Sequence, residues 1–272
     1  MNNYILSPQA MVKTIGSSKG SQPKFLDKGY WYKKNFKGYE GKAEYLASKL
    51  LECSNQNHFV RYEECEINGC MGCRSKDFTD EGEIFLSLEK MHEQCIGISL
   101  ADKLSRFTEV EERIQYTLDF VYQYTHLDIS EYLGNILMLD AIILNSDRHT
   151  NNLGVIVNVN SGDFRKAPIF DNGDSLFSNY NIFPPDKEFE ENLQNYISYP
   201  FSINPMMQTK YLPVTLELDY KTMNKVLDDE APCRAVDVLK RQLVRLRDVV
   251  PDMQGKTIDE EEDEEIDRGR SR

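Results

Sequence analysis

Apolar and polar positions change rhythm along this chain. Up to about residue 100, apolar residues come in short runs broken by glycine-rich punctuation; from Ser99 onward they recur at helical spacing. The clearest helical patterns cover 109–125, 129–145 and 234–249. In the second of these, apolar residues at 129, 133, 136, 137, 141 and 144 predict a helix buried on most of its face. Asp140 is the exception, and Asp128 stands where an N-cap belongs. The first part holds one helical stretch, 42–51, with Tyr45, Leu46, Lys49 and Leu50 around one side. Strands are predicted at 30–33 and through 59–78, where Asn68-Gly69 signals a hairpin. A further strand at 83–88 is expected to close this lobe. Residues 153–157 and 167–170 read as two strands joined by the turn-rich 158–163. The pattern is α+β and bilobal: a small β-rich N-lobe over 1–98, a mainly helical C-lobe over 99–255, and a tail, 256–272.

The chemistry concentrates where helix 129–145 gives out. Asn145-Ser146-Asp147-Arg148-His149-Thr150-Asn151-Asn152 is followed about twenty residues later by Phe170-Asp171-Asn172-Gly173. An Asp and an Asn five positions apart, with a second Asp beyond a strand pair, is the spacing that holds Mg²⁺-nucleotide beside a hydroxyl. Phosphoryl transfer leaves the protein little covalent work: it must orient the attacking oxygen, neutralise phosphate charge and keep the parts in line. Asp147 suits the first task. Asn152 and Asp171 offer the hard oxygen ligands that Mg²⁺ prefers, and the strand pair between them would bring the two together.

The first lobe holds matching parts. Gly16-Ser17-Ser18-Lys19-Gly20 is a flexible loop with exposed amides and a basic side chain, suited to cradle a triphosphate. In the following strand, Lys33 shares a face with Trp31 and can reach the phosphates; a register slip of one would substitute Lys34. Glu44, on helix 42–51, is the acid placed to hold that lysine.

Asp-Arg-His-x-x-Asn followed by a strand and Phe-Asp-Asn-Gly is similar to the motif of the HipA-like kinases and, more distantly, of the phosphatidylinositol kinases. The resemblance implies a bilobal protein-kinase-like fold and transfer from Mg²⁺-ATP to a Ser/Thr hydroxyl of a protein substrate. It implies Asp147 as catalytic base, with His149 bracing the loop or stabilising charge, and Asn152 and Asp171 as metal ligands. Autophosphorylation of a serine near the phosphate loop (Ser17, Ser18 or Ser21) and a small regulatory partner protein also follow from it. Two alternatives stand beside this reading: a lipid or small-molecule kinase, and an inactive kinase-like binding module.

Composition narrows the partners. The net charge is −13. The last seventeen residues, with eight acids against four bases, contribute −4 of it and leave −9 on the body. Direct nucleic-acid binding and attachment to anionic membranes are disfavoured, because both select Lys/Arg surfaces. No apolar run approaches the roughly 18 residues of a membrane span, so no membrane insertion is expected. The opening residues lack the basic region and apolar core of a secretory signal. Six cysteines in a chain of 272 residues fit a reducing compartment, and a cytoplasmic location is expected. Cys65, Cys70 and Cys73 invite a zinc reading, but no second close pair completes a ligand set, and free thiols are the default. The irregular stretch 174–205 has the character of an activation or substrate-binding segment.

Overall fold

A computed structural model describes residues 2–11 and 22–253 of the chain. The proposed phosphate loop, Gly16 to Gly20, and the acidic tail lie outside the described residues. The N-terminal region is a five-stranded sheet built from β1 (Asn2–Tyr4), β2 (Lys24–Asp27), β3 (Tyr30–Lys34), β4 (Tyr62–Ile67) and β5 (Cys70–Lys76). Its order is β1-β4-β5-β3-β2, with β1 parallel to β4 and every other pair antiparallel. Both tight hairpins follow from their turn residues. Lys28-Gly29 and Asn68-Gly69 take positive φ at both positions, 50° and 76°, then 48° and 75°, matching the right-handed twist of the flanking strands.

Helix α1 (Glu40–Glu52) packs on this sheet at unusually close range. A Cβ on Gly41 would lie 2.5 Å from the Gly72 carbonyl carbon of β5, so only glycine allows the approach. The face carrying Ala43, Leu46, Ala47 and Leu50 enters the same continuous core as Leu133, Ile136 and Leu137 of the helical region. Glu230 fastens the helix from outside, receiving Lys42 Nζ at 2.6 Å and the Tyr45 hydroxyl at 2.7 Å.

The strand predicted at 83–88 forms as β6 (Glu83–Ser87), but it does not close the first sheet. It pairs with β7 (Gly154–Asn158), which pairs with β8 (Phe164–Lys166), in a separate antiparallel sheet. The hairpin arm expected at 167–170 is displaced too. Pro168 has no N–H to continue the ladder, and the chain crosses to the first lobe, where Ile169 exchanges backbone bonds with His58 and Val60 at 3.0 and 2.9 Å.

The remainder is helical: α2 (Leu88–Ile96), α3 (Leu100–Leu104), α4 (Val110–Thr125), α5 (Ser130–Ile143), α6 (Phe189–Gln194), α7 (Pro205–Thr209), α8 (Tyr220–Asp229) and α9 (Arg234–Arg245). The fold is therefore α+β, a β-sheet N-terminal region followed by a helical C-terminal region. α5 runs almost wholly buried, as its pattern demanded. Its cap position is Ile129 rather than Asp128, although Asp128 still accepts the Ser130 N–H at 2.9 Å. Cys65 and Cys73 are buried on β4 and β5 while Cys70 is exposed. Among the described residues no group of three His, Cys, Asp or Glu could hold a metal by itself, and no helix is long and apolar enough to cross a membrane.

Candidate active site

The end of α5 is bent to shape a loop. Leu144 sits in the left-handed region, φ 54°, at a cost of roughly 1–2 kcal/mol for a residue with a Cβ. The turn sends Asn145 back onto its own helix, where its N–H reaches the Asp140 carbonyl at 3.0 Å and its Nδ2 reaches Asp140 Oδ1 at 2.9 Å. Asn145 Oδ1 then accepts the Asp147 N–H at 3.0 Å.

Next in the chain, Arg148 is fully buried and joins two loops. It donates to both oxygens of Asp140, to the Phe170 carbonyl at 2.8 Å and to Asn172 Oδ1 at 2.6 Å. One guanidinium so locks α5, the 145–152 loop and the 170–173 loop together. Burial pushes the Asp140 carboxyl up despite the pull of Arg148, and burial works against the Arg148 charge until Asp140 outweighs it. In the sequence this pair shows itself only as a single Asp on an otherwise apolar helix.

Asp171 occupies the left-handed region, φ 60°, which Asp tolerates better than most residues. Its Oδ1 lies 2.7 Å from Lys33 Nζ, and the same ammonium lies 2.5 Å from Glu44 Oε1. Glu44 closes the set by accepting the Asn172 N–H at 2.8 Å. Lys33 and Glu44, eleven positions apart, thus meet the second Asp, both of them buried. Lys34 points to the other face of the strand, its Nζ 5.8 Å from the Phe25 ring centre.

Burial opposes the Lys33 charge, but Asp171 and Glu44 outweigh it and hold the ammonium well above the ordinary lysine range. For Asp171 burial pushes upward, yet Lys24, Lys33 and Arg148 together pull the carboxyl far below the usual range. Glu44 is raised, by burial first and against the pull of Lys33.

Asp147, His149, Asn152, Asp171, Asp174 and Lys37 share one cavity. Asn152 is held by its N–H on the His149 carbonyl at 2.8 Å and by its Nδ2 on the Asp147 carbonyl at 3.3 Å. That leaves Asn152 Oδ1 buried with no protein donor, and Asp174 Oδ1 is in the same state. Orphaned buried acceptors are rare and demand a reason. Two of them beside the Asp171 carboxylate form a hard oxygen set that suits Mg²⁺, which takes one or two protein ligands and leaves the rest to water and phosphate.

Lys37 reaches over this cavity from the first lobe and pairs with Asp174 Oδ2 at 2.7 Å. Neither residue had been singled out from sequence, since a charge in a loop reads as a solvated one. The Asp147 carboxyl is raised, first by its enclosure in the cleft and then by Asp174 and Asp171, against His149 and Lys37.

A second cavity of about 330 Å³ opens on the far side of Lys33 and Asp171. Trp31, Val60, Tyr62, Phe78, Phe85 and Phe170 line it. Phe78, Phe85 and Phe170 pack edge-on or tilted with ring centres 5.1 to 5.8 Å apart, giving this cavity an apolar aromatic wall, with Lys33 also in its lining. Phe85 comes from β6, so that strand approaches the site although it belongs to the other sheet.

No family model matches the chain, and no curated protein matches it in sequence. Among solved structures, it is similar to the Helicobacter pylori proinflammatory kinase CtkA, with a TM-score of 0.62 at 15% identity, covering 92% of this chain and 94% of that one. It also overlaps a chain of the Shewanella oneidensis MR-1 complex of HipA, HipB and operator DNA, with a TM-score of 0.45 at 10% identity, covering 89% of this chain and 58% of that one. The chain has the fold of the kinase CtkA.

Proposed function

We propose that this protein transfers a phosphoryl group from Mg²⁺-ATP to a serine or threonine hydroxyl of a protein. The observation that carries the proposal is the closed set of Lys33, Glu44 and Asp171 beside Asp147, with the buried oxygens of Asn152 and Asp174 left without donors in the same cleft.

In this reading the aromatic-walled cavity takes the base and Lys33 takes the phosphates, kept in place by Glu44. Asn152 and Asp171 hold Mg²⁺, whose charge offsets that of the phosphates. Asp147 accepts the proton of the acceptor hydroxyl, and its raised pKa makes it a better base than a free carboxylate. His149, on the acceptor side of the same cavity, braces the loop through its carbonyl bond to Asn152. The role of Gly16 to Gly20 as a phosphate cradle, and of Ser17, Ser18 or Ser21 as autophosphorylation sites, rests on the sequence motif. The free buried thiols of Cys53, Cys65 and Cys73 support a reducing, cytoplasmic setting.

Incubation with radiolabelled ATP and Mg²⁺ against protein, peptide and lipid pools tests the reading, with Asp147→Asn as the control. Label should enter serine or threonine of the protein and peptide fractions and disappear with the variant. Absence of label from every pool with the wild-type chain would refute it.

A further inference from the structure

The segment from Ile197 to Met207 carries a surface that the nucleotide site does not use. We infer that this surface, with the pocket it shares with His149, docks the protein acceptor and receives apolar side chains flanking the serine or threonine; the inference rests on the kinase reading above.

A pocket of about 330 Å³ lies between α3, α4 and this segment, lined by Ala101, Leu104, Arg113, His149, Tyr199 and Pro200. His149 also lines the Asp147 cavity, so the two spaces share a wall two residues from the proposed base. The same segment exposes further apolar side chains along its length. Tyr199 is 42% exposed, Ile203 69%, and Met206 and Met207 37% each.

These residues stand on a hydrogen-bonded frame. Ser198 donates its N–H to the Ile203 carbonyl at 3.0 Å and its hydroxyl to the Ser202 carbonyl at 2.7 Å. The buried Gln208 accepts the N–H groups of Phe201 and Ser202 at 2.8 and 3.3 Å. Arg113 donates to the Phe201 carbonyl at 2.8 Å, tying the segment to α4. With Phe201 fully buried as its anchor, the segment holds a fixed row of apolar groups against water. Large apolar side chains exposed together within one short segment are the kind of surface that marks a contact site.

Position and charge identify the occupant. The Lys33 and Asp171 side of the cleft is taken by the nucleotide, so a hydroxyl approaching Asp147 comes in past His149, over this surface. Residues 197–207 include no charged residue, the Arg113 guanidinium in the pocket lining is engaged with the Phe107 and Phe201 carbonyls, and the body of the protein carries −9. An anionic lipid surface needs Lys or Arg to hold it, whereas a polypeptide offers a hydroxyl and flanking apolar side chains at once. The pocket takes the nearest of these side chains, and Tyr199, Ile203 and Met207 take the next.

Two peptide pools of equal charge, each with a central serine, test the proposal. One pool has Leu, Ile and Phe around the serine, the other Gln and Asn; phosphatidylinositol-containing vesicles form a third arm. Wild-type kcat/KM should be about tenfold higher for the apolar pool, the scale of one apolar side chain placed in a pocket. Ile203→Glu and Met207→Glu alter exposed positions, and each should lower that value severalfold while Mg²⁺-ADP affinity by calorimetry stays unchanged. Equal rates on the two peptide pools, unchanged kcat/KM in both variants, or label in vesicles alone would overturn the docking surface. Label in no arm overturns the kinase reading and the docking surface together. A wild-type chain that does not bind Mg²⁺-ADP overturns the kinase reading instead.

Discussion

Arg148 grips Asp140 through three charge-assisted hydrogen bonds, from Nε to Oδ2 at 2.9 Å and Oδ1 at 3.2 Å and from Nη2 to Oδ1 at 3.0 Å, and both side chains are sealed from solvent. Through its other donors the same arginine holds Phe170 and Asn172, so the spacing between Asp147 and Asp171 depends on it. Removing one partner leaves a buried uncompensated charge. Arg148→Met should therefore lower stability by about 3–5 kcal/mol, read from urea unfolding. Asp140→Leu combined with Arg148→Met should recover much of that loss. A single variant that loses less than about 1 kcal/mol would show that the pair is not the brace of the two loops.

Asp147→Asn should leave Mg²⁺-ADP binding in place and reduce kcat by about 10² to 10⁴, the range for loss of a positioned acid-base group. The base must be unprotonated to act, and its pKa is raised, so activity should fall on the acid side at a higher pH than for an ordinary carboxylate. Asp174 is one of the charges that raises it. Asp174→Asn should shift the acid limb of the kcat/KM profile downward; a limb that stays in place would dissociate the limb from Asp147.

Lys33 and Glu44 form one buried pair and should act as a unit. Lys33→Met, Glu44→Gln and the double variant should show similar losses of kcat/KM for ATP, because the second change removes what the first has already disabled. Losses that add would mean that the two side chains serve the site separately.

The Asp171 carboxyl is held far below its ordinary value by Lys24, Lys33 and Arg148, which overcome the opposing effect of burial. A depressed folded-state pKa contributes stability that is present above the unfolded carboxylate pKa, about 3.9, and is lost as pH falls toward the folded value. Urea midpoints measured as pH falls from about 6 to about 3 should drop less steeply for Asp171→Asn than for the wild type. Parallel curves would show that the ion pair contributes nothing to acid sensitivity.

Asn152 Oδ1 is buried without a donor, the state expected of an oxygen reserved for a cation. Asn152→Ala should raise the Mg²⁺ concentration for half-maximal activity about 10- to 100-fold, taking the scale of lost metal-site support, with little change in folding. An unchanged Mg²⁺ titration would remove Asn152 from the metal site.

What the chain declares about itself locally is considerable. The alternation over 30–33, the Asn68-Gly69 turn and the apolar spacing of α5 specify their elements because each depends on neighbours a few residues away. The 145–152 and 170–173 motifs are legible for the same reason: their residue types and spacing are the chemistry. Three features lay beyond that reach. β6 has the alternation of a strand, but nothing within residues 83–88 states that its partner is β7, seventy residues on, rather than the first sheet. Lys37 and Asp174 look like two solvated charges until the lobes place them 2.7 Å apart. Arg148 sits inside the motif, yet its task is decided by Asp140, Phe170 and Asn172 converging on one guanidinium. Sequence specifies an element through local sterics and periodicity, while a strand partner, a buried ion pair or a shared pocket wall is settled only when distant segments compete to exclude water and satisfy each other's charges.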